Sequence, residues 1–143
     1  MTIQYYLQSR YVEGGRVWPD LDCWGLVRLA SADLFGRAPL PLYGTSMPGD
    51  FRTITRAVSD VSGLLNMHPC QPRQGAIATA WMGSLCVHVG LCVEIDGCLR
   101  ILETDAPTGP CHTDLRRFAR RYARVEFYDD DPNLSGADAQ PPD

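Results

Sequence analysis

LCVHVGLCVEIDGCLRILETD, residues 85–105, consists of two apolar, β-branched runs separated by Asp96-Gly97. That dipeptide suits a two-residue turn whose central residues both take positive φ, so the two runs are expected to pair as antiparallel neighbours. If positions 95 and 98 close the turn, 90 falls opposite 103 and 88 opposite 105. Alternation along the first strand then puts Cys86, His88, Gly90 and Cys92 on one face and Val87, Val89, Leu91 and Val93 on the other. On this reading small residues surround one imidazole, a helix can approach over Gly90, and Glu103 and Asp105 share the face of His88.

Further short apolar runs, AIATAW (76–81) and ARVEFYD (123–129), extend the sheet on either side of the hairpin in sequence. Between them DLRRFARRYA (114–123) places Leu115, Phe118, Ala119 and Tyr122 on one helical face and its arginines outside. Upstream, Cys23, Leu26, Val27, Ala30 and Leu34 recur at intervals of three and four, which predicts a helix from Asp22 to about Phe35, closed by Gly36. Residues 3–9 predict a short helix, VEGGRVWPD (12–20) a break, and RAPLPLYGTSMPGD (37–50) a loop. Pro48 opens a second helical stretch with Phe51, Ile54, Val58 and Val61 on one side, and His68, Pro69 and Pro72 mark another loop. Helices first and an antiparallel sheet second make an α+β chain, with N-terminal helices packed on a central antiparallel sheet. Residues 1–130 are expected to form one domain, and 131–143 an acidic, flexible tail.

The bulk numbers narrow the possibilities. A chain of 143 residues with 45% hydrophobic and 21% charged residues is that of an ordinary globular domain, with no run long enough to span a bilayer. The net charge of -4 implies no general attraction to nucleic acid, although all 13 basic residues are arginine. No charged-then-apolar leader opens the sequence, so synthesis in the cytoplasm without a signal peptide is expected. The six cysteines, at 23, 70, 86, 92, 98 and 111, lack regular spacing, and free thiols are expected.

The chemistry starts at Cys23. With Asp22 as cap, the cysteine sits in the first turn of its helix, where unpaired N–H groups and the helix dipole favour a thiolate. His88 is the base best placed to exchange a proton with it, and Glu103 or Asp105 can orient the imidazole, giving a nucleophile, base and orienter drawn from three segments. Each residue also has a plain structural role open to it: a core thiol, a packed histidine, solvated carboxylates. A metal site from Cys86, His88, Cys92, Cys111 and His112 is disfavoured, because no Cys-x-x-Cys spacing supports it. No metal and no cofactor is expected. The arginines of RRFARRYAR (116–124) read as a solvated face that the acidic tail can neutralise, and Trp18, Trp24 and Trp81 as either a groove or core packing.

In order and spacing, Tyr11-Val12-Glu13-Gly14-Gly15, Asp22-Cys23-Trp24-Gly25-Leu26-Val27, QGAIATA (74–80) and His88-Val89-Gly90 resemble the NlpC-type cell-wall cysteine peptidases over roughly residues 5 to 128. The resemblance implies a papain-like fold and hydrolysis of peptide or amide bonds in peptidoglycan stem peptides. It implies Cys23 as nucleophile, His88 as base, Glu103 as third member, Tyr11 near the oxyanion site and Asp22 at the substrate amine. Trp24, which stands where many members have Ser, would border the substrate pocket, and Ala76 replaces a usual Asp. The Asp-Cys-Trp-Gly variant in a short single domain looks most like members of phage and prophage tail modules, which implies other tail proteins as partners and incorporation into a tail particle. A catalytically weak or inactive tail-assembly component of the same fold is the alternative. Neither nucleic acid nor membrane is an expected partner.

Overall fold

The structure, a computed structural model, describes residues 2–42, 51–64 and 67–131. Pro48 and the tail beyond Asp131 lie outside the described residues, as does the Val61 side chain. In chain order the elements are α1 (Ile3–Leu7), β1 (Arg10–Tyr11), β2 (Arg16–Val17), β3 (Asp20–Leu21), α2 (Cys23–Phe35), α3 (Phe51–Leu64), β4 (His68–Cys70), β5 (Ile77–Met82), β6 (Leu85–Ile95), β7 (Cys98–Glu103), β8 (Cys111–Asp114), α4 (Leu115–Arg120) and β9 (Arg124–Asp129). The main sheet has six strands in the order β4-β9-β5-β6-β7-β8, every pairing antiparallel, and a small sheet has the order β1-β3-β2. This is an α+β architecture.

The 85–105 hairpin forms as its turn residues dictate. Asp96 and Gly97 take φ of 52° and 80°, Ile95 pairs with Cys98, and Leu91 pairs with Leu102. One expectation about its faces fails. Ala80 pairs with His88 but Trp81 with Cys86, so Val87 is an extra residue in β6, a β-bulge. Past the bulge the alternation is reset. Cys86 joins Val89, Leu91 and Val93 in the cluster that includes Leu26, Val27 and Ala30 of α2, whereas Cys92 packs with Ile101 and Phe118 on the other side. Gly90 also differs from expectation: a Cβ there would meet Ile101 Cγ2 at 2.5 Å and the Leu102 carbonyl oxygen at 3.1 Å, so the missing side chain admits strand β7, not a helix.

Three features escaped the sequence reading. β1, β2 and β3 lie in and around the 12–20 segment read as a break, because two-residue strands carry no alternation to detect. β4 includes Pro69, which an edge strand tolerates. β8, Cys-His-Thr-Asp, lacks any apolar run.

Both ends of α2 are tied down. At its start, Asp22 Oδ1 accepts the Gly25 N–H at 2.8 Å, and the Gly15 carbonyl accepts the Asp22 N–H at 3.1 Å. A Cβ on Gly25 would lie 2.2 Å from that Gly15 oxygen, and one on Gly15 would lie 2.3 Å from the Asp20 oxygen. Both glycines are therefore required by backbone approaching backbone, which neither side can relieve by rotating a side chain. At its end, Gly36 in the left-handed region closes the helix, with its N–H bonded to the Ala32 carbonyl at 3.0 Å. Buried Arg37 then bonds the Gly75 carbonyl and Asp129 Oδ1, each at 2.8 Å, linking the helix to the entry of β5 and the end of β9. Arg73 holds the other oxygen of Asp129 at 3.1 Å and pairs with Asp131, so the described acidic residues here serve Arg37 and Arg73 rather than the arginines of α4.

The Gly15 contact yields a direct expectation. Gly25→Ala should destabilise the protein by about 3 kcal/mol, at the upper end for single substitutions, read as a lower denaturation midpoint with unchanged m-value. Gly36→Ala should cost less, roughly 1 kcal/mol from the left-handed φ alone, because nothing lies within 4 Å of its missing Cβ.

Candidate functional site

Cys23 is the first residue of α2, and its cap Asp22 is buried. Besides accepting the Gly25 N–H, the Asp22 carboxylate ion-pairs with Arg16 through its other oxygen. Both oxygens are thus engaged, and the expected role of Asp22 at a substrate amine would require Arg16 to give way. In this structure Asp22 positions the helix that carries the thiol.

His88 projects from β6 with its Nε2 2.9 Å from Glu103 Oε1 on β7. Cys23 acts on the same ring from the start of α2, as a polar and charged neighbour that raises its pKa. With Nε2 given to Glu103, Nδ1 is the nitrogen left to face the sulfur. The ring is flanked by Phe118 and Tyr122, at centroid distances of 5.9 and 6.1 Å and interplanar angles of 30° and 26°. Cys86, turned by the bulge, donates its thiol to the His88 carbonyl at 3.5 Å, and burial pushes that thiol up to about 12. The three expected residues Cys23, His88 and Glu103 are therefore brought together in one row, with only 8%, 5% and 1% of their surfaces exposed.

Glu103 is the most constrained member. Oε1 accepts from Arg121 at 2.5 Å as well as facing His88, and Oε2 accepts from Thr113 at 2.5 Å. Burial alone would raise its pKa, but the bonds from His88, Thr113 and Arg121 outweigh that and hold the carboxyl down at about 2. The same competition acts on His88. Desolvation favours the neutral ring, yet the bonds and charges of Cys23 and Glu103 prevail and raise its pKa, stabilising the imidazolium.

Asp105, the alternative orienter, does not take the His88 bond. Its Oδ1 instead accepts the Thr108 N–H at 3.1 Å within the turn before β8. Half-buried Tyr11 lies near the row: burial first, then the charges of Glu13, Cys23, Asp22 and Asp105, raise its phenol pKa and keep it a donor. Trp24 departs from expectation. It is 2% exposed in the core, and its Nε1–H is donated to the Pro41 carbonyl at 2.9 Å, so it supports α2 from beneath instead of bordering an open pocket. Nor do the tryptophans share a groove: Trp18 stacks on Tyr5 at 3.8 Å, and Trp81 donates to Thr79 within the sheet.

Among the described residues, His88, Glu103 and Asp105 place potential ligand atoms within 4.8 Å of one another. Both Glu103 oxygens are already committed to hydrogen bonds there. The cysteine-rich alternative does not assemble, since Cys86 and Cys92 face opposite sides of the sheet and His112 Nδ1 accepts from Arg100 at 2.9 Å. Thr113 and Arg121 are the site residues that the sequence reading missed. Thr113 lies on β8, which has no apolar run, and Arg121 belongs by sequence to the solvated arginine face of 116–124.

Comparison of the chain with family models, with curated proteins and with solved structures finds no match.

The raised pKa of His88 carries a signed consequence. The charge on its ring contributes stability fully present below the unfolded value of about 6.5, and that contribution is lost as pH rises through the higher folded value. An NMR titration of the His88 ring should therefore show a midpoint above the ordinary range. Glu103→Gln should lower that midpoint, because it removes the carboxylate that favours the imidazolium. A midpoint unmoved by the substitution would contradict the pairing.

Proposed function

We propose that the protein is a cysteine hydrolase acting on peptide or amide bonds, with Cys23 as nucleophile, His88 as base and acid, and Glu103 as the residue that orients His88. The observation that carries this reading is the row in which Cys23 at a helix start acts on His88, and His88 bonds a fully buried, ionised Glu103. Helix start, imidazole and carboxylate are the three parts that thiol nucleophiles use.

In this reading Cys23 Sγ attacks the substrate carbonyl carbon and forms a tetrahedral adduct. Its oxyanion is met by the Cys23 N–H, the first donor of α2, and by the Tyr11 hydroxyl. His88 then protonates the leaving amine as the C–N bond breaks, leaving a thioester on Cys23. Water adds to that thioester with its proton taken by the now neutral His88, the C–S bond breaks, and Cys23 departs as thiolate to be paired again with imidazolium. Glu103, tied by Thr113 and Arg121, keeps the ring aimed throughout and does not itself exchange the proton.

The substrate class comes from the resemblance to NlpC-type peptidases. Placing the site in that family's papain-like fold makes peptidoglycan stem peptides the substrate and a phage or prophage tail particle the setting. The low exposure of Cys23 favours a second reading in that same setting: a tail component in which the thiol is seldom presented to substrate.

Incubation with purified muropeptides, read by mass spectrometry, separates the two. Wild type should release peptide fragments, whereas Cys23→Ala and His88→Ala should lose at least about a hundredfold in rate, the scale of general acid–base and nucleophilic contributions, with unchanged melting cooperativity. Identical product profiles from wild type and Cys23→Ala would defeat the hydrolase reading.

A further inference from the structure

Beside Thr113 and Arg121, the partners of Glu103, lies a groove of about 480 Å³, lined also by Arg100, His112, Arg117 and Arg120 together with Thr108 and Cys111. It draws on three elements: β7 gives Arg100, β8 gives His112 and Thr113, and α4 with its C-cap gives the remaining arginines. Four arginines line one concavity, and among its described lining residues none carries a carboxylate. Arg121 has Glu103 as its partner. Arg100, Arg117 and Arg120 have no carboxylate partner among the described residues. Arg100 spends two donors on His112, Nε to the ring Nδ1 at 2.9 Å and Nη2 to the carbonyl at 3.2 Å. Because guanidinium only donates, Nδ1 must accept, and the His112 ring presents its N–H from Nε2.

Such a surface differs from the solvated face of a helix. Arginines on a lone helix point apart into water, whereas here a half-buried arginine from the sheet meets exposed ones from α4 around a cavity of the size that holds small ligands. Guanidinium groups without a carboxylate partner, beside the Thr108 hydroxyl, match an oxyanion of two or more charges, which several forks can grip in parallel. A nucleic acid fits less well. The chain carries a net charge of -4, and the lining contains no Phe, Tyr or Trp on which bases would stack.

We propose that this groove is a binding site for a small phosphoryl-bearing anion, with Arg117 and Arg120 as its main grips and Arg121 shared between the anion and Glu103. An anion drawing on Arg121 would compete with Glu103 for the same guanidinium, so the groove lies one residue away from the orienter of His88.

The test is calorimetric titration of the whole chain near neutral pH, with inorganic phosphate in one arm and glycerol 3-phosphate in the other, ionic strength being held constant with sodium chloride. Saturable binding is expected in at least one arm, and the two arms distinguish the free ion from a phosphate monoester. Arg117→Gln/Arg120→Gln should weaken it by about tenfold or more, while circular dichroism and melting show the fold retained, since both side chains are exposed. No saturable heat in either arm, or equal affinity in the double variant, would overturn the proposal. So would a single-stranded oligonucleotide that binds more tightly, per phosphate, than either small anion. Binding is read without hydrolysis, so failure here and failure of the hydrolase reading are separate results.

Discussion

A single buried carboxylate holds this site together. Glu103 is 1% exposed, a position in which an unpaired charge would cost several kcal/mol. It is tolerated because its two oxygens receive three side chains from three different places: His88 on β6, Thr113 on β8 and Arg121 just after α4. Each of these bonds is charge-assisted, and together they make the ionised form the cheaper one. The arrangement also works in reverse. An ionised Glu103 demands that β8 and α4 lie where their donors can reach it, so the edge strand and the short helix take their places partly from the charge they serve.

The second constraint is steric and acts on α2. Cys23 meets His88 only if the helix begins at one definite height above the sheet. The two glycines at positions 15 and 25 let backbone run against backbone at that level, and Asp22 caps the first turn while holding Arg16. At the opposite end, buried Arg37 reaches Gly75 and Asp129, so the helix is fixed to the same strands that frame His88 from the other direction. Trp24, fully inside, fills the space beneath the first turn. A helix anchored at both ends and wedged in the middle has little freedom to drift, so the Cys23 sulfur is held beside His88.

These two constraints explain what could be read from residues alone. Asp96-Gly97 announces its turn through local backbone chemistry, and counting outward from it pairs Gly90 with Glu103 without any knowledge of the fold. The period of α2 and its Asp and Gly boundaries are likewise local. What stayed hidden depends on contacts between distant segments. The Val87 bulge arises where β6 meets β5, so alternation within β6 alone wrongly kept Cys86 on the face of His88. β8 has no apolar pattern because it is an edge strand whose side chains serve Glu103 and a basic groove instead of a core. Trp24 reads as a pocket residue from its place beside Cys23, yet consecutive positions on a helix point about 100° apart and need not share an environment.

Arg121 joins these observations into one electrostatic unit. Its guanidinium bonds Glu103 and lies 5.1 and 5.2 Å from the Phe118 and Tyr122 ring centres, and the residue also lines the basic groove. Those same two aromatic rings flank His88. Moving Arg121 therefore alters the imidazole twice, once through the charge left on Glu103 and once through the packing of the rings beside it. Loss of the guanidinium leaves Glu103 a less compensated anion, which strengthens its hold on imidazolium and favours the charged ring. Loosened rings admit water, which weakens every charge interaction in the row. The two effects oppose each other, so the position of Arg121 sets the balance between a His88 that holds its proton and one that can give it up.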